Sequence, residues 1–147
     1  MRIKGIKKAR AKNKARVRAL DVGIANAISQ TVDEVHKAGL HNIDAMTRKQ
    51  SGRLRKFYQK ALRSKGQRGL VGYVTKSARK RAFYARWVHD GTSRQKARPF
   101  HDNAVLGVEG KHAGRMKAAL ARALSGKASP SGLARTGGGL EKDIGNE

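Results

Sequence analysis

The sequence of 147 residues lacks cysteine and has only two prolines, seven aromatic residues and ten acidic residues. The absence of cysteine excludes a disulfide framework, thiolate metal sites and a cysteine nucleophile. No run of residues is apolar enough to span a bilayer, and the basic N-terminus leads into no apolar segment of the kind that signal peptides contain. We therefore expect a soluble protein that is made in a cytoplasm and has no membrane partner.

Basic residues are abundant by contrast, since 34 Lys and Arg residues give a net charge of +24. Leu, Ile, Val and Phe together make up 28 residues, just under the roughly 20% below which a highly charged chain is suspected of disorder. Two explanations fit a folded protein of this kind. Either the charge lies in unfolded tails, or neighbouring subunits complete the apolar core while a polyanion neutralises the charge.

The distribution of charge along the chain separates these explanations. Residues 1–18 carry nine basic residues and no acid, whereas residues 48–98 carry 17 basic residues, one acid and six of the seven aromatics. Aromatic residues in that number are not typical of a disordered tail. Most of the charge thus lies on a region that we expect to fold, which favours neighbouring subunits and a polyanion.

Composition predicts three parts: a basic flexible arm over residues 1–15, a single domain over 16–125 and a flexible tail over 126–147. The arm has little to bury, and the tail contains Gly, Ser and Pro clusters with few large aliphatic residues. At the start of the domain, apolar residues recur in steps of three and four, which predicts an amphipathic helix over 18–38. Gly39 is expected to end it.

The rest of the domain contains signals for a hairpin and for more helix. Residues 54–76 predict a β-hairpin, because the sequence SKGQRG between its apolar runs has turn chemistry. The aromatic residues near position 85 have helical spacing, and Gly91 is expected to end that helix. A C-terminal helix is predicted to follow Pro99, with weak points at its three glycines. The fold class predicted is α+β.

Candidate catalytic groups are few. The histidines are scattered and have no metal-ligand spacing; they are His36, His41, His89, His101 and His112. His89 and Asp90 are adjacent, but neighbouring residues on a helix do not usually face each other. We therefore predict no catalytic, cofactor-binding or metal-binding residues.

Basic and aromatic residues alternate in the segments RLRKFYQK and KSARKRAFYARW. Such a pattern is found in proteins that bind phosphates through Lys and Arg and stack bases on aromatic rings. It is also produced by aromatics that form the core, and helical spacing favours that interpretation for Tyr84 and for Trp87 or Val88. A basic protein that binds nucleic acid without sequence specificity remains an alternative function.

Three segments resemble a known family. They are Ser51-Gly52-Arg53-Leu54-Arg55, Tyr84-Ala85-Arg86-Trp87-Val88-His89-Asp90-Gly91-Thr92, and Ala97-Arg98-Pro99-Phe100 followed by Ala104. Their order and spacing resemble the tailed-phage head–tail joining family, the tail-completion or minor tail proteins of the lambda protein Z type. Members typically show Thr-Gly-x-Leu-Arg, Tyr-Ala-x-x-Val-Glu-x-Gly-Thr and Ala-Arg-Pro-Phe elements.

The resemblance implies an α+β subunit in which a long N-terminal helix and a C-terminal helix pack on a small antiparallel sheet. It implies a homo-oligomeric ring, with a hexamer favoured, in the neck or tail of a virion. Partners would be neck or connector proteins, the tail tube protein and genomic DNA passing non-specifically through the bore. Structural motif residues would be Gly52, Leu54, Arg55, Tyr84, Val88, Gly91, Thr92, Arg98, Pro99, Phe100 and Ala104. Residues predicted to face DNA or a partner are Arg53, Lys56, Lys60, Arg79, Lys80 and Arg81.

Overall fold

Two long helices account for most of the described residues. A computed structural model describes residues 5–47 and 52–125. The elements are α1 (Ile6–Met46), α2 (Arg53–Phe57), β1 (Gln59–Arg63), a 3₁₀ turn (Ser64–Gly66), β2 (Arg68–Gly72), α3 (Lys76–Arg81), α4 (Ala85–Asp90) and α5 (Phe100–Ser125). The predicted α+β class is confirmed, with long N- and C-terminal helices and a small antiparallel sheet.

The long helices α1 and α5 pack in antiparallel directions. Near the C-terminal end of α1, Asn42 Nδ2 donates to the carbonyl of Phe100 at 3.0 Å. Towards the other end, a Cβ on Gly23 would lie 3.2 Å from the Cβ of Ala119, so the two backbones approach closely there. The buried positions of α5 follow steps of about four residues and are Phe100, Ala104, Val108, Ala119 and Ala123. This spacing keeps one stripe of α5 against α1.

The hairpin lies against the middle of α1. Gln59 pairs with Gly72 and Arg63 with Arg68 in an antiparallel register, and the turn between them falls within the predicted SKGQRG segment. Gly69 allows β2 to touch α1, because a Cβ there would overlap the side chain of Val32. The hairpin is shorter than predicted, since residues 53–57 form α2 and not a strand.

The predicted end of the first helix is wrong. Helix α1 passes through Gly39 and ends at Met46, and Gly39 is buried. A Cβ at this position would lie 2.6 Å from Cε1 and Cζ of Tyr58, so the glycine makes room for an aromatic ring. The helix also begins earlier than the predicted domain boundary at residue 16, because Ile6 is already helical.

The other predicted elements match more closely. Helix α4 ends at Gly91, and α5 follows Pro99 without interruption at its three glycines. The predicted tail over 126–147 lies outside the described residues.

The buried core is small and rich in alanine. Seven of its fourteen buried hydrophobic residues are alanines, and the largest fully buried side chain is Phe100, which is 2% exposed. One cluster surrounds Tyr58 and Phe100, and a second joins Val35 of α1 to Ala104 and Val108 of α5. Small side chains bury little apolar area each, so this core contributes less stabilisation than one built from leucine and phenylalanine.

We predict that Gly39→Ala destabilises the protein although alanine is the better helix former. Overlap with the Tyr58 ring should outweigh the gain of about 1 kcal/mol in helix propensity and leave a net loss of about 1–2 kcal/mol. Gly110→Ala is the matched control, because a Cβ there meets nothing within 4 Å and should stabilise α5 by about 0.5–1 kcal/mol. Urea unfolding monitored by circular dichroism measures both variants. An equal change in the free energy of unfolding for the two substitutions would contradict the close contact between Gly39 and Tyr58.

Candidate functional site

The three segments of the family resemblance meet at one end of the molecule. Leu54 of α2 and Phe100 of α5 are buried in the same cluster, and Tyr84 and Val88 pack against it. Ala104 lies one turn further along α5 and is 1% exposed. Segments that are far apart in sequence thus share one core, and their apolar residues have structural roles.

Two glycines of these segments adopt backbone conformations that other residues rarely adopt. Gly52 precedes α2 with φ +65°, and Gly91 follows α4 with φ +83°. A Cβ on Gly91 would lie 2.7 Å from the backbone nitrogen of Ala97, so the chain returns closely past this point. Glycine adopts a positive φ without steric cost, which explains the residue type at both positions.

The loop between α4 and α5 is held by backbone hydrogen bonds. The Arg98 amide donates to the carbonyls of Val88 and His89 at 3.1 and 3.0 Å, which caps the end of α4. Thr92 and Gln95 exchange backbone hydrogen bonds and form a tight turn between the helices. Pro99 then directs the chain into α5, where its carbonyl accepts from the Asn103 amide at 3.1 Å.

Tyr58 is the central residue of this end of the molecule, and sequence reasoning did not single it out. Its ring stacks on His36 with centroids 5.7 Å apart, and its hydroxyl lies 2.7 Å from Nδ1 of His101. Edge-to-face contacts join the ring to Tyr73 and Phe100. Burial raises the pKa of Tyr58 to about 12, so the hydroxyl stays protonated at neutral pH.

His89 and Asp90 contact each other, contrary to the expectation for adjacent helical residues. His89 Nδ1 lies 2.8 Å from Asp90 Oδ1, and its Nε2 lies 3.5 Å from Asp102 Oδ1. The hydrogen bond from His89 lowers the pKa of Asp90. The imidazole also packs edge-on against Phe100 at 5.1 Å. These contacts join the end of α4 to the start of α5. Among the described residues, no group of three or more His, Cys, Asp or Glu side chains could hold a metal ion.

The residues predicted to face DNA or a partner fall into two groups. Lys60 pairs with Asp33 of α1 at 2.5 Å and thereby fastens the hairpin. The other five are exposed and form what we call the α2–α3 surface, namely Arg53, Lys56, Arg79, Lys80 and Arg81. The helices are in contact, and the Arg81 guanidinium lies 5.6 Å from the centre of the Phe57 ring. Arg55, next to this surface, instead pairs with Asp44 of α1.

A second basic surface lies on the first turns of α1. Every residue from Gly5 to Arg18 is exposed, and we call this stretch the basic helical arm. Its cations are Lys7, Lys8, Arg10, Lys12, Lys14, Arg16 and Arg18. Since Gly23 lies beside Ala119, the described end of α5 at Ser125 reaches only about as far as Val17. The arm therefore extends past the described part of α5.

Two aromatic residues near position 85 lie on the surface. Phe83 is 61% exposed and Trp87 is 54% exposed. Tyr84 packs against the buried cluster, and of the two alternatives Trp87 and Val88 it is Val88 that packs there. Helical spacing places Trp87 one turn from Phe83, and the pattern alone gives no sign of which face points to solvent.

Apolar side chains are also exposed along α5. Leu106, Leu120 and Leu124 share an exposed stripe that is distinct from the buried stripe packing on α1. A shallow groove of about 330 Å³ lies between α1, β2 and α5, lined by residues that include Val35, Val71 and Val105. The described subunit thus leaves several apolar surfaces uncovered.

Comparisons with known proteins give no further guide. No family model matches this sequence, and no curated protein or solved structure matches it either. Among the described residues, none of the helices has the length and apolar character needed to cross a membrane.

We predict that the protein loses stability in mild acid through His101. Burial lowers the pKa of His101, and the neighbouring Asp102 only partly opposes this. Below the ordinary pKa of about 6.5, the unfolded chain therefore binds a proton that the folded chain does not. The free energy of unfolding should fall between about pH 7.5 and 5.5, as measured by urea titration at each pH.

His101→Gln should make this pH dependence shallower, because glutamine does not titrate. His41→Gln is the control, since His41 is exposed on α1 and its replacement should leave the dependence unchanged. The same slope in wild type and His101→Gln would contradict the assignment.

Proposed function

We propose that this chain is a structural subunit of a tailed-phage virion, a head–tail joining or tail-completion protein that forms a ring at the neck–tail junction. The observation that carries the proposal is the convergence of the three family-like segments on one core. Gly52, Gly91 and Phe100 each have a local role that explains the residue type at that position. The chain acts by assembly and DNA passage and performs no catalysis.

Ring assembly accounts for the apolar surfaces that the described subunit leaves open. The leucine stripe of α5 is exposed, with Leu106 at 67%. A core that is half alanine by number leaves part of the stabilisation to be supplied by contacts between subunits. A head-to-tail contact repeated around an axis closes a ring, and the neighbouring subunit then covers this stripe. The resemblance favours six subunits.

The basic surfaces account for the second partner, DNA in the bore. The α2–α3 surface carries five exposed cations, and neither of its two helices contains an acid. Such a surface attracts a phosphate backbone without reading the base sequence. Contacts of this kind exchange rapidly with salt ions, so the duplex remains able to move past the ring.

We predict that the full chain forms a discrete ring at moderate salt. Light scattering coupled to size exclusion should give a mass of several subunits, and electron microscopy should show a closed ring. Leu106→Asp should dissociate it because a charge would be buried at the contact. Ala118→Asp is the matched control, since it adds the same charge at an exposed position on a different face of α5. A folded monomer at micromolar concentration would contradict ring formation.

The same assembly can be located directly in a particle. An image of the assembled virion should place this subunit between the portal and the first ring of the tail tube. A position elsewhere in the particle would contradict the head–tail assignment while leaving ring formation intact.

The basic helical arm favours a second candidate function, binding of nucleic acid without sequence specificity. Like charges recur at four-residue steps within it, as in Lys8 and Lys12 or Lys14 and Arg18. Each such pair destabilises an isolated helix by about 0.2–0.5 kcal/mol. A bound phosphate backbone would remove this repulsion, so the arm is better suited to a polyanion than to bare solvent.

Neutralising the arm tests this second function. Replacing Lys7, Lys8, Lys12 and Lys14 with glutamine should reduce the salt dependence of duplex binding, by up to about one unit of slope for each phosphate that the variant no longer binds. Fluorescence anisotropy with a labelled duplex at several salt concentrations gives the slope. The control replaces Arg53, Lys56, Lys80 and Arg81 of the α2–α3 surface in the same way. Tight duplex binding by a monomer, abolished only when the arm is neutralised, would favour this function over the ring.

A further inference from the structure

Phe83 and Trp87 form an exposed aromatic pair whose rings contact each other edge to face. Phe83 and Trp87 have ring centroids 5.6 Å apart and planes at 89°. Phe83 also meets Tyr84 at 5.7 Å and 87°, and Tyr84 packs against the buried cluster. The edge contacts fix the orientation of Phe83 from two sides. Both side chains are nevertheless more than half exposed, so much of their apolar aromatic surface is presented to solvent.

The surroundings of the pair are strongly basic. Arg79, Lys80 and Arg86 lie within four residues of Phe83 and are all exposed. Asp90 is the only acid between residues 48 and 98, and it is held by Arg86 at 3.4 Å and by His89 at 2.8 Å. A ligand for this surface therefore combines negative charge with flat apolar groups. Nucleic acid brings both of these features, since its phosphates are negatively charged and its bases are flat.

We propose that Phe83 and Trp87 form a stacking site for the unpaired bases of a nucleic acid strand, whose phosphates are bound by the neighbouring Arg and Lys side chains. Bases in a duplex are already stacked on one another, so free base faces belong to single strands. Single-stranded DNA and RNA share this chemistry. The site goes beyond the proposed function, because the ring contact proposed above uses the leucine stripe of α5 and a duplex offers no free base faces.

The chain offers a direct probe, since Trp87 is its only tryptophan. Titration of the full chain with an oligothymidylate strand should change Trp87 emission, because a base stacked on the indole alters its surroundings. An oligouridylate strand tests RNA in the same way, and a duplex of equal length tests paired bases. We expect the single strands to bind several-fold more tightly than the duplex and to change the emission more.

Substitution of the second ring separates stacking from charge. Phe83→Ala should weaken binding of the single strand about tenfold, within the range found for loss of one aromatic–base stack. It should leave binding of inorganic polyphosphate unchanged, because polyphosphate has charge and no bases. Leu62→Ala is the control, since it shortens an exposed apolar side chain on β1 and should change neither affinity. Circular dichroism checks that both variants keep their helix content.

Three results would overturn the proposal. One is equal single-strand affinity of Phe83→Ala and wild type. Another is an equal change in Trp87 emission with polyphosphate or duplex. The third is emission that shifts with protein concentration in the absence of nucleic acid, since a second subunit would then cover the pair. Light scattering of the same samples reports ring assembly separately, so loss of stacking and failure of the proposed function give different results.

Discussion

The placement of one aromatic ring, Tyr58, against a glycine of α1 governs how the elements of this protein meet. Gly39 has no side chain, which leaves space for the Tyr58 ring. The Tyr58 hydroxyl lies 2.7 Å from Nδ1 of His101 on α5. The backbone carbonyl of Tyr58 lies 3.1 Å from His36 Nε2. Tyr58 stands between α2 and β1, so fixing it sets the start of the hairpin relative to both long helices. The contacts of Tyr58 with His36 and His101, together with the space left by Gly39, thus position the hairpin on the two long helices.

The sequence predicts the regular parts of this structure and misses the contact on which they converge. Helix α1, the hairpin turn and α5 follow from local periodicity and from turn residues, which act over a few positions. Gly39 has the same appearance in sequence whether it ends a helix or admits a ring, because that choice depends on a residue 19 positions away. The predicted stop was therefore wrong. His36, one turn before Gly39 on the same face, is the signal that could have indicated a packed site.

The candidate sites also contain some features that the sequence predicts and others that it does not. The roles of Gly91 and Phe100 could be predicted, because a helix end and an apolar residue after proline have local signatures. The exposure of Trp87 could not be predicted, because helical spacing indicates which residues share a face but not what covers that face. Val88 is adjacent to Trp87 and packs inward, while the indole points outward. The small side chains of Ala82 and Ala85 are buried in the core beside α4.

Most of the described acidic side chains of this basic protein pair with basic residues within the subunit. Few are therefore left to neutralise the positive charge of its surface. Four of the seven acids in the described ranges pair with Lys or Arg side chains, and three of these pairs fasten α1 to other elements: Asp44 to Arg55, Asp33 to Lys60 and Glu34 to Arg115. Exposed pairs of this kind add little stability each, so their main effect is to set register between elements. The basic helical arm and the α2–α3 surface contain no acid. Their charge must therefore be compensated from outside the subunit, by salt ions when it is alone and by a polyanion when one is present.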